Sequence, residues 1–95
     1  MELIYEQNRI FSVDNDGKLL AEIVFPDLGE HLVKITRTFV DPSLRGQGAA
    51  SALMLAAAQK LRQEGKKAVP LCSYAKAWLE RHPEYADLAA EIPAP

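Results

Sequence analysis

At 95 residues the chain fits one domain, large enough for a real core and too small for a second module. It is 48% apolar and 25% charged with a formal charge of −2, which excludes disorder and collagen-like repeats and gives no general attraction to nucleic acid or acidic membranes. A single cysteine excludes an internal disulfide and suits a reducing compartment, and the absence of a signal-like or membrane-length apolar run makes a cytoplasmic protein the expectation.

Arg9 to Val13 reads as a short strand, closed by the turn residues Asp14-Asn15-Asp16-Gly17. Lys18 to Phe25 reads as a second strand, with Leu19, Ala21, Ile23 and Phe25 on one face and Leu20, Glu22 and Val24 on the other. Pro26 to Glu30 breaks it. His31 to Val40 gives a third strand, in which Arg37 falls among the inward residues Val33, Ile35 and Phe39. Either the phase is wrong or a bulge flips the second half, and the bulge is the favoured reading because bulges concentrate beside functional sites.

Ala50 to Glu64 is an amphipathic helix, with Leu53, Ala57 and Leu61 four apart and Ala50, Met54 and Ala58 widening the stripe. Gly65 is placed to end it, and Lys66 and Lys67 suit the negative end of its dipole. Ala68 to Cys72 follows as a short buried strand, which predicts a right-handed parallel crossover with the third strand. Pro70 cannot donate a ladder hydrogen bond, so this strand is expected to diverge from its neighbour and leave a gap for an extended ligand. Ser73 is a candidate cap for a helix from about Tyr74 to Arg81, with Ala75, Trp78 and Leu79 inward. His82-Pro83 ends it before a last helical turn through Leu88, and the tail Glu91 to Pro95 is expected to fray.

Between the third strand and the long helix lies Val40-Asp41-Pro42-Ser43-Leu44-Arg45-Gly46-Gln47-Gly48-Ala49-Ala50. Glycines flanking Gln47 permit a tight turn, and the small residues after them let successive N–H groups face one object with the helix dipole behind them. Such a turn is an anion cradle. A nucleoside-triphosphate loop requires a lysine and a hydroxyl after the second glycine, where Ala49 and Ala50 stand. A dinucleotide site requires a third glycine and an acidic residue at the end of the next strand, where Ser51 and Cys72 stand.

Arg45-x-x-Gly48-x-Ala50 matches the R/Q-x-x-G-x-G/A acetyl-CoA motif, and with the preceding Val40-x-Pro42 it resembles the GCN5-related N-acetyltransferases (GNAT). Pro70-Leu71-Cys72-Ser73-Tyr74 and Arg81 to Tyr85 narrow the resemblance to minimal, single-domain members of about this length, over roughly Phe11 to Leu88. An H-T pair usually precedes V-x-P in that small family, and here Arg37 stands at the histidine position before Thr38. The resemblance implies an α/β (α+β, mixed-sheet) acyl-CoA N-acyltransferase fold filling residues 1–95, with its core about residues 9–88. That fold is an antiparallel three-strand meander, a β-α-β crossover and short C-terminal helices. The helix pair with which larger members build an acceptor pocket is missing between the first two strands.

By the same resemblance the activity is acetyl-CoA-dependent transfer to an unidentified amine, small molecule or protein. Backbone groups near Phe39 and Val40 hold the pantetheine and thioester oxygen, and Arg45, Gly46, Gln47, Gly48, Ala49 and Ala50 hold the pyrophosphate of CoA. Cys72 is a candidate for covalent acyl acceptor, proton relay with Tyr74, or channel lining; it equally fits a buried small hydrophobe. Tyr74 is a candidate acid for the leaving thiolate or an aromatic packed on the sheet. Trp78 reads as core, His82 as a helix terminator, His31 as exposed, and Lys66 with Lys67 as a solvated helix end with a contact to a CoA phosphate as the lesser reading. The rival function is a non-catalytic module that binds CoA or a partner protein. No metal, nucleic acid or membrane is expected, and the free strand edges fit a monomer or weak homodimer.

Overall fold

The computed structural model describes residues 1–92, and its first long hairpin is fixed by one side chain. Asp14 Oδ1 accepts the N–H groups of Asp16 and Lys18, both at 2.9 Å. The turn so closed joins β2 (Arg9–Val13) to β3 (Leu19–Val24), with Ile10 opposite Ile23 and Ser12 opposite Ala21. Two strands appear that the periodicity of the chain does not show. β1 (Ile4–Glu6) pairs with β2 and is exposed throughout, so it has no inward residues to mark it. β4 (Asp27–Gly29) lies inside the segment expected to be a break, because its turn-forming composition is overridden by pairing to the next strand.

The expected third strand is divided into β5 (Leu32–Ile35) and β6 (Arg37–Val40). The division is a bulge: Val24 accepts the Thr36 N–H at 3.1 Å and is also the register partner of Arg37, so two residues oppose one. The side-chain phase flips there, so Val33 and Ile35 are fully buried and Arg37 is exposed. The bulge also splits the sheet. β1-β2-β3-β6 form a four-stranded antiparallel sheet and β4-β5-β7 a three-stranded one, with β7 at Lys67–Pro70. The expected strands keep their antiparallel order through β2, β3 and β6, and the single mixed sheet expected from the sequence is corrected to two sheets. The crossover strand β7 is parallel to β5, the first half of the expected third strand, and not to β6.

α1 (Ala49–Gln63) supplies the crossover and buries Leu53, Met54, Ala57, Ala58 and Leu61. They meet Ile10, Ala21 and Ile23 of the first sheet, Phe25 just past β3, and Val33 and Ile35 of the second sheet in one core. Each buried Leu, Ile, Val, Met or Phe among them contributes about 1.5–3 kcal/mol on removal from water. At its end Gly65 N–H reaches Arg62 O and Lys66 N–H reaches Leu61 O, the paired bonds of a Schellman stop. α2 (Ser73–Arg81) packs Ala75, Trp78 and Leu79 inward, and a 3-10 segment follows at Pro83–Leu88. The tail expectation lies partly outside the described residues; Glu91 and Ile92 are exposed.

The face of the first sheet opposite α1 carries Glu22 between two arginines. Arg9 Nε and Arg37 Nε donate to its two carboxylate oxygens at 2.5 and 2.9 Å. Burial opposes ionisation of Glu22, but these bonds outweigh it and hold the carboxyl below its ordinary range.

Candidate functional site

The chain between β6 and α1 is set by Asp41. Its carboxylate accepts the Ser43 N–H at 3.0 Å and the Ser43 hydroxyl at 2.6 Å, opening a 3-10 turn at Pro42–Leu44. The same bonds, with Lys18 nearby, hold the Asp41 carboxyl below its usual range. Arg45 N–H then bonds Pro42 O and Gln47 N–H bonds Leu44 O, so both are spent inside the turn. Gly46 and Gly48 take φ of 82° and 75°, the left-handed region that a side chain resists.

Gly48 is the N-cap of α1 and offers no side-chain acceptor. The first helical bond runs from Ala52 N–H to Gly48 O, which leaves the N–H groups of Ala49, Ala50 and Ser51 at the positive end of a 15-residue helix. A Cβ built on Gly46 or Gly48 meets nothing within 4 Å, so the space over the turn is open. These features fit an anionic group, and they face a pocket of about 210 Å³.

Of the residues expected at the cofactor, Val40, Arg45, Gly46, Gly48, Ala49 and Ala50 all line that pocket. Gln47 does not; it faces the other side of the turn, and its amide donates to Ser43 O at 3.3 Å. Phe39 does not either. Its register partner Glu22 lies on the opposite face, and Arg37 lies over its ring at 5.1 Å. The Asp41 N–H bond to Leu20 O, at 2.7 Å, fixes the alternation of the ladder. Phe39 therefore turns its N–H and C=O toward β3, whereas Thr38 and Val40 turn theirs to the free edge of β6. Leu44 and Ser51 complete the wall, residues that the motif did not single out.

Past that edge the expected parting of the strands near Pro70 is present. β7 follows β5 as far as the Ile35–Pro70 pair, after which Leu71 and Cys72 both donate to Ile35 O at 3.0 Å and the chain swings into α2. Cys72, not Ser73, is the N-cap of α2, its Sγ accepting the Ala75 N–H at 3.4 Å. The extended backbone at Cys72 and the three-residue reach to Ala75 make it the cap, and Ser73 becomes the first helical residue. Cys72 is half-buried, and its Sγ lies 3.5 Å from Thr38 Oγ1. Tyr74, two positions on, lines the glycine-turn pocket. Of the two candidate catalytic side chains, Tyr74 lines that pocket and Cys72 lies outside its lining.

Other expectations separate here. Lys66 pairs with Glu64 at 3.4 Å at the far end of α1, about 22 Å from the turn at 1.5 Å per residue, so that pair of lysines does not reach an anion held there. His82 ends α2 with its ring stacked on Trp78 at 3.7 Å. A larger groove of about 390 Å³, between Pro70, Leu79 and Pro83, shares no residue with the turn pocket. No helix among the described residues is long and apolar enough to cross a membrane.

A family model for GCN5-related N-acetyl-transferases matches residues 10–88. No curated protein matches the chain. The solution structure of a GCN5-like protein from Staphylococcus aureus is 28% identical with a TM-score of 0.78, over 97% of this chain and 90% of that one. A GNAT family N-acetyltransferase from Escherichia coli, crystallised with CoA, is 25% identical with a TM-score of 0.58, over 72% of this chain and 43% of that one. A Mycobacterium tuberculosis protein crystallised with CoA shares the fold at 22% identity and a TM-score of 0.63, over 81% of this chain and 48% of its own. This chain spans less than half the length of those two CoA-bound proteins.

Proposed function

The chain belongs to the GCN5-related N-acetyltransferase family, and we propose that it transfers the acetyl group of acetyl-CoA to an amine. One juxtaposition supports this reading: an uncapped helix N-terminus and its pocket adjoin the end of β6 at Val40, and a thiol lies 3.5 Å from Thr38 on the same strand. The pyrophosphate would rest on the N–H groups of Ala49, Ala50 and Ser51 in the pocket walled by Arg45, Gly46 and Gly48, with Gln47 shaping the turn from outside. The pantetheine arm would lie along the free edge of β6 and bond the backbone of Thr38 and Val40. Phe39 contributes through the ladder that holds β6 in place.

Acetyl transfer needs an amine nitrogen without its extra proton, a donor for the carbonyl oxygen as it gains charge, and a proton for the departing sulfur. Backbone N–H groups on the β6 edge suit the second need. Tyr74, in the wall of the pocket, suits the third. Cys72 suits either a relay for the amine proton or a covalent acceptor of the acetyl group. In the covalent case the Cys72 thiol loses its proton as its sulfur attacks the thioester carbon, the CoA thiolate leaves and takes up a proton, and the amine then attacks the acetyl carbon, Cys72 leaving as thiolate and recovering a proton as the amine nitrogen gives one up.

Isothermal titration with acetyl-CoA tests the reading, and absence of binding at millimolar cofactor overturns it. Turnover is tested by CoA release with a panel of amines. A non-catalytic CoA-binding module is the second reading, favoured by the direct turn between β2 and β3, which leaves the acceptor side without the helix pair of larger members. Saturable binding with no CoA release from any amine selects that reading.

A further inference from the structure

We infer that Trp78 is a positioning residue for the anion cradle, holding the Ser51 hydroxyl so that it donates into the pocket. The inference rests on the CoA reading above. Trp78 is 4% exposed and belongs to the core by burial. A buried indole N–H requires an acceptor, and that of Trp78 is Ser51 Oγ at 3.1 Å. Ser51 is the third residue of α1, lines the turn pocket, and carries one of the unpaired helix N–H groups.

A hydroxyl has one proton to give and two lone pairs to receive. With the indole N–H on one lone pair, the Ser51 O–H remains for an acceptor in the pocket and is polarised by the bond it receives. Ser51 then offers two donors to one anion. Without the indole the hydroxyl rotates freely, and in a helix it competes for its own preceding backbone carbonyls.

The indole itself is fixed from behind. The His82 ring stacks on it at 3.7 Å with 12° between planes, and His82 Nδ1 donates to the Trp78 carbonyl at 2.7 Å. Tyr85 also packs against it, with ring centroids 5.7 Å apart and planes tilted by 40°. Trp78 also lies on the helix that carries Cys72 and Tyr74, so its bond to Ser51 locks that helix to the N-terminus of α1.

The test measures affinity for CoA and for S-acetyl-pantetheine, which lacks the pyrophosphate, in wild type, Trp78→Phe, Ser51→Ala and the double variant. Phenylalanine keeps the packing and removes the donor. Each single change is expected to weaken CoA about tenfold, the low end for one hydrogen bond to an anion. The double variant is expected to be no weaker than the weaker single, and the affinity for S-acetyl-pantetheine to stay unchanged. Trp78 is the chain's single tryptophan, so CoA should also change its fluorescence in wild type and not in Ser51→Ala, a readout that survives if Trp78→Phe does not fold. Wild-type CoA affinity in Ser51→Ala, or losses that multiply in the double variant, overturns the inference and leaves the CoA reading intact. Absence of CoA binding by the wild type overturns both.

Discussion

Cys72 Sγ and Thr38 Oγ1 lie 3.5 Å apart although 34 positions separate them in sequence. They face each other because two strand terminations coincide: the bulge at Thr36 turns Thr38 toward the core side, and the parting of β7 from β5 at Pro70 swings Cys72 back over it. The contact therefore lies where β7 parts from its sheet beside β6. It also shows that the sulfur has two structural partners, Thr38 and the Ala75 N–H, before any chemistry is asked of it.

Stability and thiol chemistry at Cys72 are separable by replacement. Serine is the better N-cap, so Cys72→Ser is expected to melt at or above the wild-type temperature, and Cys72→Ala to lose about 0.5 kcal/mol, the low end for a lost cap. If the thiol carries or relays the transfer, both variants lose CoA release while keeping CoA affinity. Denaturant melts and a thiol-reagent assay of released CoA measure the two effects, and full release in Cys72→Ser removes the sulfur from the mechanism.

Gly48→Val is expected to abolish acetyl-CoA binding. A Cβ there meets no neighbour, so the fold is lost only to the extent of the left-handed backbone, about 1–2 kcal/mol. The same Cβ and its methyls project into the open space over the turn and keep the anion off the amides. Titration of a variant shown to be folded checks this, and an unchanged affinity means that the turn is not the cradle.

Tyr74→Phe keeps the wall of the pocket and removes its phenol. CoA affinity is expected to stay within about twofold and the rate of CoA release to fall about a hundredfold, the lower range for losing a positioned acid. Steady-state kinetics with any accepted amine measures the split between kcat and KM, and an unaltered kcat reduces Tyr74 to a packing aromatic.

Acid is expected to destabilise the fold through its lowered carboxylates. Glu22, Asp41 and Glu64 are all held below their ordinary range. In each case the folded form binds its proton less readily than the unfolded chain. Their contribution is therefore complete above the ordinary carboxylate range, near about pH 4, and is lost as pH falls through the lower folded values. Glu22→Gln should lose about 1–2 kcal/mol at neutral pH, because it removes the charge from two hydrogen bonds whose arginines remain partly hydrated. It should also flatten the acid limb. A limb as steep in Glu22→Gln as in wild type assigns the acid sensitivity to Asp41 and Glu64.

The sequence by itself determined the periodic elements and the turn. Leu53, Ala57 and Leu61 spell α1, Leu19, Ala21 and Ile23 spell β3, and Gly46 and Gly48 supply the left-handed backbone that bares a helix N-terminus, all from local spacing and local conformational freedom. The misplaced Arg37 also announced the bulge, because a charge out of phase has few other remedies in a strand. Tertiary structure alone decided the rest. Whether β7 joined β5 or β6 depended on where the bulge ended pairing, and β1 and β4 exist only because a neighbour's free edge was there to accept them. Pairing across the fold likewise chose Thr38 and Val40 over Phe39 for the free edge, set Cys72 as the cap of α2, and brought Trp78 to Ser51, since which groups remain unspent is a property of the neighbours and not of the residue.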